Sequence, residues 1–158
     1  MVTGWVIDAS MALAWGLPDE SSPIADHFWK EVESGLPVFV PALWWFECAN
    51  ALVVARRRER LDDRHALRMS TLLGALPVDT AAAPVGDGLL RLQALALKHD
   101  LSAYDAAYLD LAISRTAGLA TFDSRLADAA RRAGITVWEP GGPARSRPPA
   151  APRPLPMQ

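Results

Sequence analysis

Residues 36–55 read LPVFVPALWWFECANALVVA. The run is apolar enough for a hydropathy scan to suggest a membrane span, but its interior argues otherwise. Pro37, Pro41, Glu47 and Asn50 all lie inside it, and a span of that kind carries few or no such residues. The prolines instead bound PVFVP as a short buried strand, and the residues from Leu43 to about Arg60 form the helix that follows it. A strand that is apolar throughout, followed at once by a helix, belongs in a parallel sheet covered on both faces.

The rest of the chain repeats this unit. GWVID is a buried strand ending at Asp8, and SMALAWGL a short helix with Ser10 near its start. SSPIADHFWKEVESG carries a serine cap, Pro23 in its first turn and Gly35 as its stop, which is helix punctuation. A helix capped by Asp62 or Asp63 runs to about Leu76, and LPVDT supplies a third strand. Helices follow over VGDGLLRLQALALKHD, with apolar positions 89, 92, 95 and 96, and over SAYDAAYLDLAISRTAG, from Ser102 to a stop at Gly118. LATF is the fourth strand, SRLADAARRAG a helix stopped by Gly134, and ITVWEP the fifth strand. The expected fold class is α/β: one domain over residues 1–140, with a parallel sheet between helices. Residues 141–158, GGPARSRPPAAPRPLPMQ, change character to proline and arginine and read as a disordered or extended tail.

Composition narrows the function. Of 158 residues, 51% are hydrophobic, which fits a folded domain with a sizeable core. Residues 1–140 hold 13 basic and 18 acidic side chains, a net of −5, which argues against a generic DNA-coating surface and allows an acidic site that a cation could neutralise. The single cysteine, Cys48, forms no internal disulfide, and there is no CxxC pair for zinc. The N-terminus lacks the basic-then-apolar order of a signal peptide, so a cytoplasmic domain is expected.

Four acids fall near the C-terminal ends of the strands, where open α/β sheets bind ligands. Asp8 ends the first strand, and Glu47 sits a turn into the helix after the second. Asp105 opens the helix before the fourth strand, and Asp123 follows that strand. Each admits a plainer role. Asp8 could satisfy amides of the next helix, Asp105 completes a Ser-x-x-acid capping box, and Asp123 could cap the helix from Ser124. Glu47 is harder to dismiss. Its helical neighbours are Leu43, Trp44, Asn50 and Ala51, none of them basic, and an unpaired charge taken out of water is costly. Carboxylates gathered in one pocket repel unless a cation balances them, and Mg²⁺ or Mn²⁺ prefers such oxygen ligands. The three histidines show no ligand spacing. Arg56, Arg57, Arg58, Arg60, Arg64 and Arg68 form a basic run that reads either as a solvated face or as contacts to phosphates.

Taken together, VIDASM, PALWWFECANAL, LSAYDAAYLDLA and LATFDSRLADAA resemble the PIN domain of VapC-type toxins, in order and spacing, from about Val6 to Trp138. The resemblance implies a five-stranded parallel sheet of order 3-2-1-4-5. It also implies an acidic metal site in which Asp8, Asp105 and Asp123 hold the ion and Glu47 joins them in catalysis, with Ser10 supporting the first aspartate and Asn50 following the glutamate. It further implies an Mg²⁺- or Mn²⁺-dependent endoribonuclease, the toxin of a type II toxin–antitoxin pair. Such a toxin is dimeric and is held inactive by a VapB-like antitoxin, which on residue type would meet Trp15, Phe28, Trp29, Trp44 and Trp45.

Other readings compete. A haloacid-dehalogenase-type phosphatase needs a second Asp two residues after the first, where Ser10 stands. A phospho-acceptor receiver domain needs an acceptor Asp, which Asp79 could mimic, and a late Lys, but none follows Lys98. A PIN-fold nuclease acting on other nucleic acid, or a PIN-like module that only binds partners, stays open.

Overall fold

The computed structural model describes residues 2–16, 22–33 and 35–139; the tail expected over 141–158 lies outside them. Strands β1 (Trp5–Ile7), β2 (Val38–Pro41), β3 (Val78–Ala81) and β4 (Gly118–Ala120) form one parallel sheet of order β3-β2-β1-β4. The register pairs Val6 with Phe39 and Leu119, and Val40 with Thr80. All three residues of β1 and of β4 are buried, as strands covered by helices on both faces require.

Helices α1 (Ala9–Gly16), α2 (Pro23–Glu33), α3 (Leu43–Arg57) and α4 (Asp63–Gly74) follow the first two strands, and α5 (Asp87–His99), α6 (Ala103–Ser114) and α7 (Ser124–Arg132) come later. Helix α1 packs on α2 and α3, and α3 on α4; α6 packs on α5, α7 and the strands. These are the two helical groups that right-handed crossovers place on opposite faces of such a sheet. The core runs between them through Phe28, Trp44, Tyr108, Leu109 and Leu119. Helix starts match the sequence signals. Ser22 accepts from the Ile24 amide, Asp62 from His65 and Ser102 from Asp105.

Three expectations need correction. The fifth strand reduces to one parallel bridge, Leu119 to Val137, in which Leu119 donates to the Thr136 carbonyl and accepts from the Trp138 amide. The segment lies on the β4 edge, where order 3-2-1-4-5 puts it, but β4 spans only three residues and offers little ladder to extend. Helix α3 ends at Arg57 rather than Arg60, because Glu59 turns left-handed at φ 56°. Gly118 is not a helix stop either. Helix α6 ends at Ser114, and Gly118 opens β4 beneath the Trp5 indole, where an added Cβ would lie 2.0 Å from a ring carbon. Glycine is there for close approach.

Candidate active site

The strand order reverses between β1 and β4, since the chain runs β1 to β2 to β3 and then returns to the other side of β1. In open α/β sheets, ligands bind at that switch point, beyond the strands' C-terminal ends. Asp8 leaves β1 there, and residues 121–123 leave β4 beside it.

Asp8 is only 7% exposed. Its carboxylate accepts from the Ser10 hydroxyl (2.7 Å), the Met11 amide (3.2 Å) and the Thr121 hydroxyl. Burial nevertheless pushes its pKa above the ordinary value, against these bonds, and Asp123 adds to the rise. Ser10 also accepts from the Phe122 amide (2.9 Å), and Thr121 from the Asp123 amide (2.9 Å). Two hydroxyl side chains therefore stitch the β1 and β4 exits together around one acid. The supporting role expected of Ser10 has a direct hydrogen bond behind it.

Asp123 caps α7: its Oδ1 accepts from the amides of Arg125 (2.8 Å) and Leu126 (3.1 Å). Both bonds use one oxygen, so Oδ2 has no hydrogen bond among the described residues. Ser102 caps α6, accepting from the Asp105 amide (3.0 Å), but its hydroxyl donates to Asp105 Oδ2 (2.7 Å), so Asp105 meets the side chain rather than the backbone N–H that a full capping box would use. The capping reading holds for Asp123, while at Asp105 it is Ser102 that caps the helix; in each acid only one carboxylate oxygen is engaged among the described residues.

Glu47 is half-buried on α3. Burial raises its pKa most, and Asp8 and Asp105 raise it further. Those two acids thus lie within electrostatic reach of Glu47, as Asp123 does of Asp8. None of the four makes an ion pair with a lysine, arginine or histidine among the described residues. Glu47 does have a partner the sequence did not disclose, for it accepts a hydrogen bond from the Tyr108 hydroxyl on α6. Burial and the neighbouring Glu47 drive the phenol's pKa far up, so it remains a donor. Asn50 sits one turn beyond Glu47 and is exposed. Cys48, next to Glu47, is buried and its pKa is pushed up to about 12, which leaves an unreactive thiol.

The donor set is all oxygen, which suits a hard divalent cation. No three His, Cys, Asp or Glu side chains among the described residues close into a ligand cage. Mg²⁺ commonly takes only one or two carboxylates directly and keeps several waters. The histidines stay apart: His27 pairs with Glu31, His65 with Asp62, and His99 is buried.

Sequence reasoning missed Tyr108 and Thr121. Both carried a signal. A tyrosine inside an apolar helix needs a partner for its hydroxyl, and a threonine just after a strand end points at the same edge as the acid two residues on. The expected docking aromatics need correction. Phe28, Trp29 and Trp44 are at most 3% exposed and belong to the core, while Trp15 and Trp45 are half-buried. The large exposed apolar side chains instead include Phe46, Leu67, Val85, Leu90, Leu97 and Tyr104. Within the basic run, Arg56 is engaged by Asp63.

Fold and site together define a class: a parallel α/β protein with carboxylates gathered at the topological switch point. The sequence model of the PIN domain family matches residues 5–132, and the chain belongs to that family as a VapC-type member. It is 35% identical over 127 residues to Ribonuclease VapC3 of Pyrobaculum aerophilum, an alignment covering 78% of this chain and 92% of that one. The crystal structure of PAE2754 from Pyrobaculum aerophilum superposes with a TM-score of 0.62 at 26% identity, covering 87% of this chain and 92% of that one. Mycobacterium tuberculosis VapC20, described as a sarcin-ricin loop cleaving toxin, shares the fold at a TM-score of 0.56 and 18% identity, over 80% of this chain and 95% of its own. No helix among the described residues is long and apolar enough to cross a membrane.

Proposed function

We propose that the chain is a metal-dependent endoribonuclease, the toxin of a type II toxin–antitoxin pair, whose site is Asp8, Glu47, Asp105 and Asp123. One observation carries the reading: acids from four separate segments are linked electrostatically, Glu47 with Asp8 and Asp105 and Asp8 with Asp123, and none of them pairs with a basic side chain among the described residues. The likeness to Ribonuclease VapC3 supports hydrolysis of RNA as the activity.

Asp8, Asp105 and Asp123 would hold Mg²⁺ or Mn²⁺. When bound, such an ion lowers the pKa of a water and offsets charge building on the phosphate. The protein's own part is orientation and charge. Ser10 and Thr121 fix the Asp8 carboxylate, and the α7 amides fix Asp123, so neither must reorganise as substrate arrives. Glu47, with its raised pKa, is suited to accept a proton from the attacking water. No cysteine or histidine nucleophile is needed.

The rest of the proposal is a cytoplasmic homodimer inhibited by a VapB-like antitoxin encoded nearby, with residues 1–140 as the catalytic unit and 141–158 as an appendage. The test is incubation of the purified protein with total RNA in Mg²⁺ or Mn²⁺. Cleavage is expected, its loss in chelator, and its loss in Asp8→Asn and in Asp105→Asn. Full activity in either variant would overturn the site, and a preference for DNA would overturn the substrate. The product of an adjacent reading frame should copurify with the protein and suppress cleavage.

A further inference from the structure

Tyr108 lies outside the acidic set, yet it touches one member directly. Its side chain is 1% exposed, so the hydroxyl cannot turn to solvent for a partner. The partner it takes is Glu47 Oε2, contributed by the other helical group and 61 positions away in sequence. On α6, Tyr108 is three residues from Asp105, which puts both on one face of that helix. Glu47 Oε1 has no hydrogen bond among the described residues.

We infer that Tyr108 is a positioning residue for Glu47, holding Oε2 so that Oε1 is presented to Asp8, Asp105 and whatever binds between them. A half-buried glutamate without such a tether samples several rotamers, and only some aim its carboxylate at the other acids. The tether costs little to keep, since a buried tyrosine hydroxyl needs an acceptor in any case. The inference rests on the acidic site being catalytic, and it adds a residue that does not touch the substrate.

Tyr108→Phe keeps the ring and deletes the donor. With a short RNA in Mg²⁺, kcat is expected to fall about tenfold or more with KM within about twofold, since misplacement of a catalytic group is felt in the chemical step. In a Glu47→Gln background the same substitution is expected to change the residual kcat by less than about twofold, because the two act as one unit. A second readout is independent of activity. In the metal-free protein the carboxyl-carbon NMR signal of Glu47 is expected to move in Tyr108→Phe, and by more than those of Asp8 or Asp105. An unchanged kcat, an equal loss in both backgrounds, or an unmoved Glu47 signal overturns the inference. If the wild type cuts no RNA, the functional reading fails, while the Glu47 signal still decides whether Tyr108 positions that carboxylate.

Discussion

Thr121 donates a hydrogen bond to Asp8 and accepts one from the backbone of Asp123, so a single hydroxyl joins the exits of β1 and β4. The two strands are adjacent in the sheet but far apart in sequence, and this side chain fixes how their acids face each other.

Asp8→Asn is expected to reduce RNA cleavage by at least about a hundredfold, the scale of losing a charged group at the reacting centre, while the folded protein in chelator is no less stable than the wild type. Burial is what raises the Asp8 pKa, so a neutral isostere removes a cost at neutral pH. The checks are a cleavage assay and thermal melting in chelator. A large drop in Tm would mean that Asp8 is chiefly structural.

The same shift gives a pH dependence. Asp8 and Glu47 titrate above their ordinary values of 3.8 and 4.5 in the folded protein. Between those values and the raised ones, the folded state binds more protons than the unfolded state. Their contribution therefore rises as pH falls through the folded pKa values and is lost at neutral pH. His99 acts oppositely. Burial lowers its pKa below 6.5, so acidification below that value favours the unfolded state. The difference in urea stability between wild type and Asp8→Asn isolates the carboxylate, and it should shrink as the pH is lowered through the raised pKa. A gap that widens would contradict the assignment.

Glu47→Gln should raise Tm slightly in chelator. The amide oxygen can still accept from Tyr108, and the crowding with Asp8 and Asp105 disappears. In saturating Mg²⁺ the variant should lose most of its activity. Lower melting in chelator would count against a crowded acidic site.

Gly118→Ala places a methyl group 2.0 Å from the Trp5 ring in a fully buried strand pair. Overpacking of this kind typically costs about 1–3 kcal/mol. A lowered urea midpoint is expected, partly restored by Trp5→Leu in the same chain. A neutral Gly118→Ala would show that the indole can move aside.

Deleting residues 141–158 should leave both Tm and RNA cleavage unchanged, because the family match ends at residue 132. A clear loss in either would assign the proline- and arginine-rich segment a docking or substrate role.

Much of this was legible in the sequence because it rests on local signals. Apolar strands bounded by prolines, and helices opened by Ser22, Asp62 and Ser102, announce themselves within a few residues. The four acids proposed as the site drew notice for the same reason, each being odd or well placed in its own segment. What escaped depends on pairing between distant segments. The Glu47–Tyr108 bond and the Thr121–Asp8 bond have no local trace, and the weakness of the fifth strand depends on the shortness of its neighbour β4. Trp44 misled because a tryptophan on an apolar helix gives the same signal whether it faces the core or a partner; its neighbour Phe46, at 77% exposure, is the one turned outward.

Asp123 is where the proposed site and the scaffold share a part. One of its oxygens holds the first turn of α7 in place, and the other has no hydrogen bond among the described residues, while its charge reaches Asp8. Alanine there would strip the cap along with the charge, at a cost of about 0.5–2 kcal/mol, whereas asparagine keeps the cap and removes only the charge. An inactive Asp123→Ala protein would confuse a frayed helix with a missing ligand, so Asp123→Asn is the substitution that separates chemistry from architecture.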